Sequence, residues 1–397
     1  MAELIVPRRR PPPAPIRTDG SNAFASFTMM DRVPRMIATV IDSAHPARRG
    51  ALSRLADEVT AGAPLGALRL PAPDHATWAR ALHERAGETW LATDWYFAEA
   101  FVYRRILEAC RWWETGDDPF AAPKREELAS EALWDSLGAL LEGGGAIGGD
   151  GGSAIEACLL ASLWGNRIDL SYLSAASLGT RAAAEDLLAD ERPFARAHVH
   201  EGCDVHVILD NAGSELAFDT ALVASLLAAG AGRVVLHLKA HPTFVSDAVP
   251  ADVWALMEAM RARGGTFAGL AGAFQAAFDA RRVVLAPDLF WCSPSMFDRL
   301  PPHIAGGLAG AAMVVSKGDA NYRRLVNDAR WPAATPFADA SISVGAPLVA
   351  LRTLKSDALA GVDAGVEDAL DAREPGWRTS GRYGVIQCAA PPPPGAS

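Results

Sequence analysis

VHVILDNAGSELAFDTALVASLL, residues 205–227, decides the fold class of this chain. Its first five residues are β-branched or apolar apart from His206, so the run reads as a buried strand. Asp210–Asn211 closes the run, and Ala212–Gly213 opens a helix-like stretch, residues 215–227. Open α/β sheets bind their ligands where strands end and helices begin, so the oxygen-bearing pair stands where a site is expected. The pattern then recurs. Strand-like runs at 234–238, 283–286, 312–316 and 347–351 alternate with helix-like segments at 215–229, 253–263 and 269–280. That alternation predicts βαβ units around a mostly parallel sheet, a three-layer α/β/α sandwich.

Upstream the pattern differs. Residues 27–142 read mostly as helices. The clearest spans 94–113, where Phe97, Phe101, Ile106 and Cys110 recur at helical spacing with Arg104, Arg105, Glu108 and Arg111 between them. Gly116–Asp117–Asp118–Pro119 is a stop signal. The glycine-rich stretch 143–152 follows no strand, so it lacks the context of a phosphate-cradling loop and reads as a flexible surface loop. The expected organisation is a disordered basic, proline-rich tail (1–25), an α-helical N-terminal domain (26–190), an α/β/α domain (191–388) and a disordered tail (389–397).

The 397 residues are half hydrophobic, enough for a large core, and carry a formal net charge of −10. A general nucleic-acid binder would present a basic face, so that class is disfavoured. No run of eighteen apolar residues predicts a membrane span, and the N-terminus lacks the apolar segment of a secretory signal. The five cysteines are scattered without CxxC spacing, which predicts free thiols and a reducing, cytoplasmic setting.

Polar clusters follow the strand-like runs. Ser246–Asp247 comes after 234–238, Asp288–Leu289–Phe290–Trp291 after 283–286, Lys317–Gly318–Asp319–Ala320–Asn321 after 312–316, and Arg352–Thr353–Leu354–Lys355 after 347–351. A parallel sheet would gather them on one edge with Asp210 and Asn211. Carboxylate and amide oxygens suit a hard divalent cation, and lysines supply fixed positive charge. Phosphoryl transfer uses that combination. Each piece also has a plainer reading: Asp210 and Asp247 as helix N-caps, Lys317 and Lys355 as surface lysines, Gly318 as a turn residue, Asp319 and Asn321 as loop hydrogen-bonders, Trp291 as core.

Several of these segments occur together in one known family. VILDNAGSELAFDTALVASLL, VVLHLKAHPTFVSDA, DLFW, VVSKGDANYRRLVNDARW and LRTLKSD stand in this order, and TDWYFAEAFVYRRILEACRWWETGDDPF, LWGNRIDLS and WRTSGRYGVIQ extend the match to both ends. Over roughly residues 27–388 the chain resembles the metal-dependent damage-control phosphatases, first described as domain of unknown function 89. Arg352–Thr353–Leu354–Lys355 fits the Arg-Thr-x-Lys motif of the third subfamily, which includes the acidic-residue methyltransferase-1-like proteins.

The resemblance implies a metal-dependent phosphatase acting on small phosphorylated metabolites, sugar phosphates first, with Mn²⁺ or Mg²⁺ and with Co²⁺ or Ni²⁺ as substitutes. It implies that Asp210, Asn211 and Asp247 hold the metal, with Asp210 or Asp247 also orienting the attacking water. It sets Lys317, Gly318, Asp319, Ala320, Asn321 and Lys355 at the substrate phosphate, and Glu99, Asn166 and Asp169 along the pocket. For Asn166 and Asp169 a capping role is the alternative. Arg352 either binds phosphate or pairs with an acid such as Asp319 and holds the loop, and the supporting role is the favoured expectation. A covalent aspartyl-phosphate route through Asp210 is disfavoured, because no Asp-x-Asp pair supplies a second acid. The rival activity is an S-adenosylmethionine-dependent carboxyl methyltransferase. Against it, no GxGxG-type turn follows a strand. A non-catalytic phosphometabolite-binding protein is the third reading.

Overall fold

The structure is a computed structural model that describes residues 9–143, 151–165 and 186–392. Its centre is a seven-stranded sheet formed by β1 (Leu187–Asp190), β2 (Asp204–Ile208), β3 (Arg233–Lys239), β4 (Val283–Asp288), β5 (Met313–Lys317), β6 (Leu348–Thr353) and β7 (Gly384–Ala389). The strand order is β1-β7-β6-β5-β2-β3-β4. Strands β2 to β6 pair in parallel. β7 runs antiparallel to β6, and β1 lies parallel to β7, so one edge is reversed. The chain adds β3 and β4 on one side of β2, then crosses to place β5 and β6 on the other. The order therefore reverses between β2 and β5, and the loops leaving those two strands diverge around a crevice.

Both faces of the sheet are covered, which explains the near-continuous apolar runs. Val205, Val207 and Leu209 point to one core with Met313, Val315, Val349, Leu351 and Ile386. That core also takes in Trp134, Leu159 and Trp164 from the helices Glu131–Glu142 and Gly151–Trp164. It takes in residues of the helices Ser214–Ala228, Pro250–Arg263 and Gly265–Asp279 as well. Ile208, Val314, Leu348, Ala350 and Val385 point the other way, into a core with Met29, Ile37, Leu52, Trp78, Phe97 and Phe101. Helices from the N-terminal half thus pack on both faces of the sheet.

The N-terminal half differs from expectation in three places. The helix over 94–113 is shorter, Trp95–Cys110. Arg111 takes a left-handed conformation (φ 55°), and a separate turn, Trp112–Thr115, ends at Gly116 (φ 72°). Arg104, expected on the polar side of that helix, is buried. Its guanidinium donates to both oxygens of Asp74 at 2.7 and 3.0 Å and lies over the Trp113 ring. The tail expected to reach residue 25 is also shorter. Ile16 is buried, its amide donates to Asp328 O, and Arg17 reaches Asp94, Glu88 and Ala92 O. A proline-rich stretch followed by one buried isoleucine reads as unstructured until its partners, far along the chain, are in place. Finally, Gly151 and Gly152 belong to a helix and not to the glycine-rich loop. Residues 144–150 of that loop, and 393–397 of the C-terminal tail, lie outside the described residues. No described helix is long and apolar enough to cross a membrane. None of the five cysteines forms a disulfide.

Asp74 supports a pH prediction. Burial alone would raise its pKa. Against that, His241, 3.6 Å away, and the bidentate Arg104 hold the carboxyl at about 2. The folded pKa lies below the usual carboxylate value of 3.8, so the stabilisation is full above pH 3.8 and is lost as pH falls through 2. That window is worth about 2 kcal/mol. A carboxyl NMR titration should find Asp74 still ionised at pH 3; a midpoint near 4 would contradict the pairing.

Candidate active site

Two loops meet at the carboxyl end of the sheet. Asp210–Asn211 leaves β2, and the loop after β3 carries Asp247. Asn211 and Asp247 form an antiparallel bridge. Around it, Ala248 N donates to Asp210 O at 2.7 Å and Ala212 N to Ser246 O at 2.6 Å. The side chains follow: Ser246 Oγ donates to Asn211 Oδ1 at 2.5 Å, and Asn211 Nδ2 donates to Asp210 Oδ2 at 3.1 Å and Glu215 Oε2 at 3.0 Å. Asp210, Asn211 and Asp247 are all buried. The helix Gly318–Leu325 starts directly after β5, across the crevice from Asp210. Gly318 has φ +83°, and a Cβ there would stand 1.9 Å from Asp210 Oδ2. Only glycine lets that helix start so close to the carboxylate.

The electrostatics are unbalanced around Asp210. Its pKa is pushed well above the usual carboxylate range, first by burial and then by repulsion from Asp247 and Glu215. Asp247 is raised by burial too, although Lys239 opposes the shift from 3.3 Å. Lys239 is itself held by Trp291 O at 2.6 Å. The strained turn before Asp247, with Phe244 at φ 49° and Val245 at φ 66°, packs on Tyr96 and Tyr103. A β-branched residue in the left-handed region is rare outside functional loops.

The other expected site residues divide. Lys317 departs from expectation: it is buried beneath the site, its ammonium bound to Glu215 Oε1 at 2.8 Å and Asp219 Oδ1 at 2.7 Å. Two carboxylates already neutralise it. Asp319 also faces inward, accepting from Arg352 Nε at 2.8 Å and from Ser356 Oγ at 3.1 Å. Arg352 is fully buried, donates further to Ala358 O and Ser356 O, and lies over Tyr322, which is the loop-supporting role expected of it. Asn321 Nδ2 ties the ends of β2 and β5 together through Leu209 O and Lys317 O. What the 317–321 segment leaves for a ligand is the first turn of its helix, at Gly318 and Ala320, where N–H groups have no intrahelical acceptor. Lys355 is exposed, and its charge acts on the Asp210 carboxyl. Glu99 is engaged by Arg323, which also grips Asp328 and lies over Trp95. Asn166 and Asp169 lie outside the described residues.

Sequence reasoning placed Lys239 at the end of the second strand run without giving it a role, and passed over Glu215, Asp219, Lys124 and Glu127 as site residues. Glu215 and Asp219 had a signal: they stand four apart, so they share a face of the helix that begins at the site. Lys124 and Glu127 had none, because their partners are far along the chain.

The donor chemistry suits a hard divalent ion. Among the described residues no three Asp, Glu, His or Cys side chains make a closed metal cage. The candidate set is two carboxylates and an amide. Asn321 Oδ1 is buried with no hydrogen-bond partner among the described residues, and Asp247 Oδ2 meets only the Lys239 ammonium, at 3.3 Å. An under-satisfied buried acceptor, beside carboxylates that repel one another, is what a cation would satisfy. The residues present fit the metal.

A family profile for the damage-control phosphatase ARMT1-like domain matches residues 28–370. The chain belongs to that family. Membership in the damage-control phosphatases implies a phosphatase. Similar proteins named damage-control phosphatase ARMT1 come from Rattus norvegicus (29% identical, covering 96% of this chain and 99% of the relative) and Homo sapiens (28%, covering 96% and 99%). One from Xenopus laevis is 28% identical over 95% of this chain and 98% of its own length. A crystal structure of a DUF89-family protein from Pyrococcus horikoshii shares the fold, with a TM-score of 0.51 at 14% identity, covering 92% of this chain and 98% of that one. The three-layer, mostly parallel architecture with a helical N-terminal region is therefore that of the family.

Proposed function

We propose that this damage-control phosphatase hydrolyses phosphate monoesters of small metabolites, sugar phosphates foremost, and that it does so with a divalent cation. The observation that carries the reading is the meeting of Asp210, Asn211 and Asp247 at the point where the strand order reverses, facing a helix N-terminus and an exposed lysine. Asp210, Asn211 and Asp247 would hold the ion, Mn²⁺ or Mg²⁺, with Co²⁺ or Ni²⁺ as substitutes. When bound, such an ion polarises a phosphoryl oxygen and lowers the pKa of water.

The chain's own residues do the rest. The first-turn amides at Gly318 and Ala320, which lack intrahelical acceptors, suit phosphoryl oxygens. Lys355 brings a compact positive charge from the solvent side. Lys317, neutralised by Glu215 and Asp219, holds the floor of the site and not the substrate. Ser246, on the amide oxygen, and Glu215, on the amide nitrogen, fix the orientation of the Asn211 side chain. Glu99 steadies the helix bearing the phosphate-facing turn through Arg323.

The test is a panel of phosphorylated metabolites assayed for phosphate release with Mn²⁺, Mg²⁺, Co²⁺ and Ni²⁺ in parallel. Turnover should appear with at least one sugar phosphate, vanish on chelation and return on adding metal back. Micromolar binding of S-adenosylmethionine by calorimetry, with no phosphate released from any ester, would replace this reading with a methyltransferase.

A further inference from the structure

The helix Ala121–Ala129 presents an anomaly. It is nine residues long, and the residue it buries is Lys124. A buried lysine is rare unless its ammonium is fully engaged. Here Nζ donates to Asp252 Oδ2 at 2.8 Å, Asp118 Oδ2 at 3.1 Å and the main-chain oxygen of Asp247 at 3.2 Å. Asp252 in turn accepts from Val249 N, so the lysine holds both ends of the segment that follows Asp247. Three residues on, along the same face, Glu127 reaches the other loop. Its Oε1 accepts from Ser214 N at 2.9 Å, at the start of the helix Ser214–Ala228. Its Oε2 covers Gly213, where φ is +66° and a Cβ would stand 2.2 Å from the carboxylate oxygen. One short helix thus grips both loops of the site, each through one charged side chain. Neither grip contributes an apolar core contact.

We propose that this helix is a clasp that sets the separation of the Asp210–Asn211 turn from the Asp247 loop, with Lys124 and Glu127 as positioning residues. The inference rests on the metal reading above. The two loops are joined to each other by their short bridge, its flanking main-chain bonds and the Ser246–Asn211 side-chain bond, and the Asp247 loop carries the strained Phe244–Val245 turn. Without an outside hold, such a loop relaxes and the ligand oxygens drift apart. Glu127 also sets its charge at a helix N-terminus, where it is stabilised, so it remains on Ser214 and leaves the metal to the three ligands.

The experiment uses the full chain, stripped with chelator and titrated with Mn²⁺ while free Mn²⁺ is read by electron paramagnetic resonance. Glu127→Ala and Lys124→Met should each weaken Mn²⁺ binding by about 10–100-fold, the usual effect of losing an outer support. Glu127→Gln should restore most of it, because the amide oxygen still accepts from Ser214 N. A merely structural role would not follow that acceptor chemistry. Amide exchange in the metal-free protein is read alongside. Glu127→Ala should speed exchange at Ser214 by more than about tenfold, as expected when a local opening becomes easier. If wild-type protein takes up no Mn²⁺ but exchange still accelerates, the ligand assignment is wrong and the clasp stands as a mechanical hold. If Mn²⁺ affinity stays within about threefold in the variants, or exchange at Ser214 is unchanged, the clasp is wrong. Should Lys124→Met not fold, Glu127→Ala and Glu127→Gln decide alone.

Discussion

Asp210→Ala should abolish phosphate release, with turnover falling by at least about 10³. Asp210 is the ligand candidate on which everything else converges. Its carbonyl accepts from Ala248 N, its carboxylate from the Asn211 amide, and Gly318 is bare so that the carboxylate fits. The same substitution should leave the metal-free protein at least as stable as wild type. The carboxyl is buried and repelled by Asp247 and Glu215, so its charge opposes folding when no cation is present. The pairing of lost activity with retained or raised stability separates a site residue from a structural one. Wild-type turnover of Asp210→Ala in excess metal would remove Asp210 from the site.

Lys355→Ala should lower kcat/KM by about 10²–10³, the typical loss of one preorganised donor. The case for Lys355 is sharpened by what became of the other cations. Lys317 is spent on Glu215 and Asp219, Lys239 on Trp291 O and Asp247, and Arg352 on Asp319 and the loop after it. Lys355 is exposed and bears on Asp210 from the open side. Its backbone is fixed, because its amide donates to Asp319 Oδ1 at 3.3 Å. Charge moving onto phosphoryl oxygens in the transition state strengthens the contact, so the effect should fall on kcat as well as KM. Mn²⁺ affinity should change little. Lys355→Arg should rescue only in part, since a planar fork does not replace a point charge. Steady-state kinetics within about threefold of wild type, far short of the loss of a donor, would exclude it.

The parallel strands were legible because burial on both faces writes itself as continuous apolar runs, and each observed strand from β2 to β6 overlaps an expected run. The reversed edge was not. β1 is four residues long and partly exposed, and whether β7 joins β6 antiparallel depends on tertiary register. In the site, Asp210, Asn211 and Asp247 could be read as strand-end oxygens because the sheet rule gathers such positions. Lys317 misled for the complementary reason. It too follows a strand, and only the folded chain shows Glu215 and Asp219, about a hundred residues earlier, closing on its ammonium. The clasp residues are illegible for the same cause: a polar helix near residue 124 looks like surface until its lysine is found beneath Asp247.

The most direct test is crystallographic. Crystals soaked in Mn²⁺ and measured at the manganese absorption edge should show one anomalous peak bonded to oxygens of Asp210, Asn211 and Asp247, and none in Asp210→Ala. A peak elsewhere in wild type, or no peak in crystals of a protein that releases phosphate only with Mn²⁺, would contradict this placement of the metal.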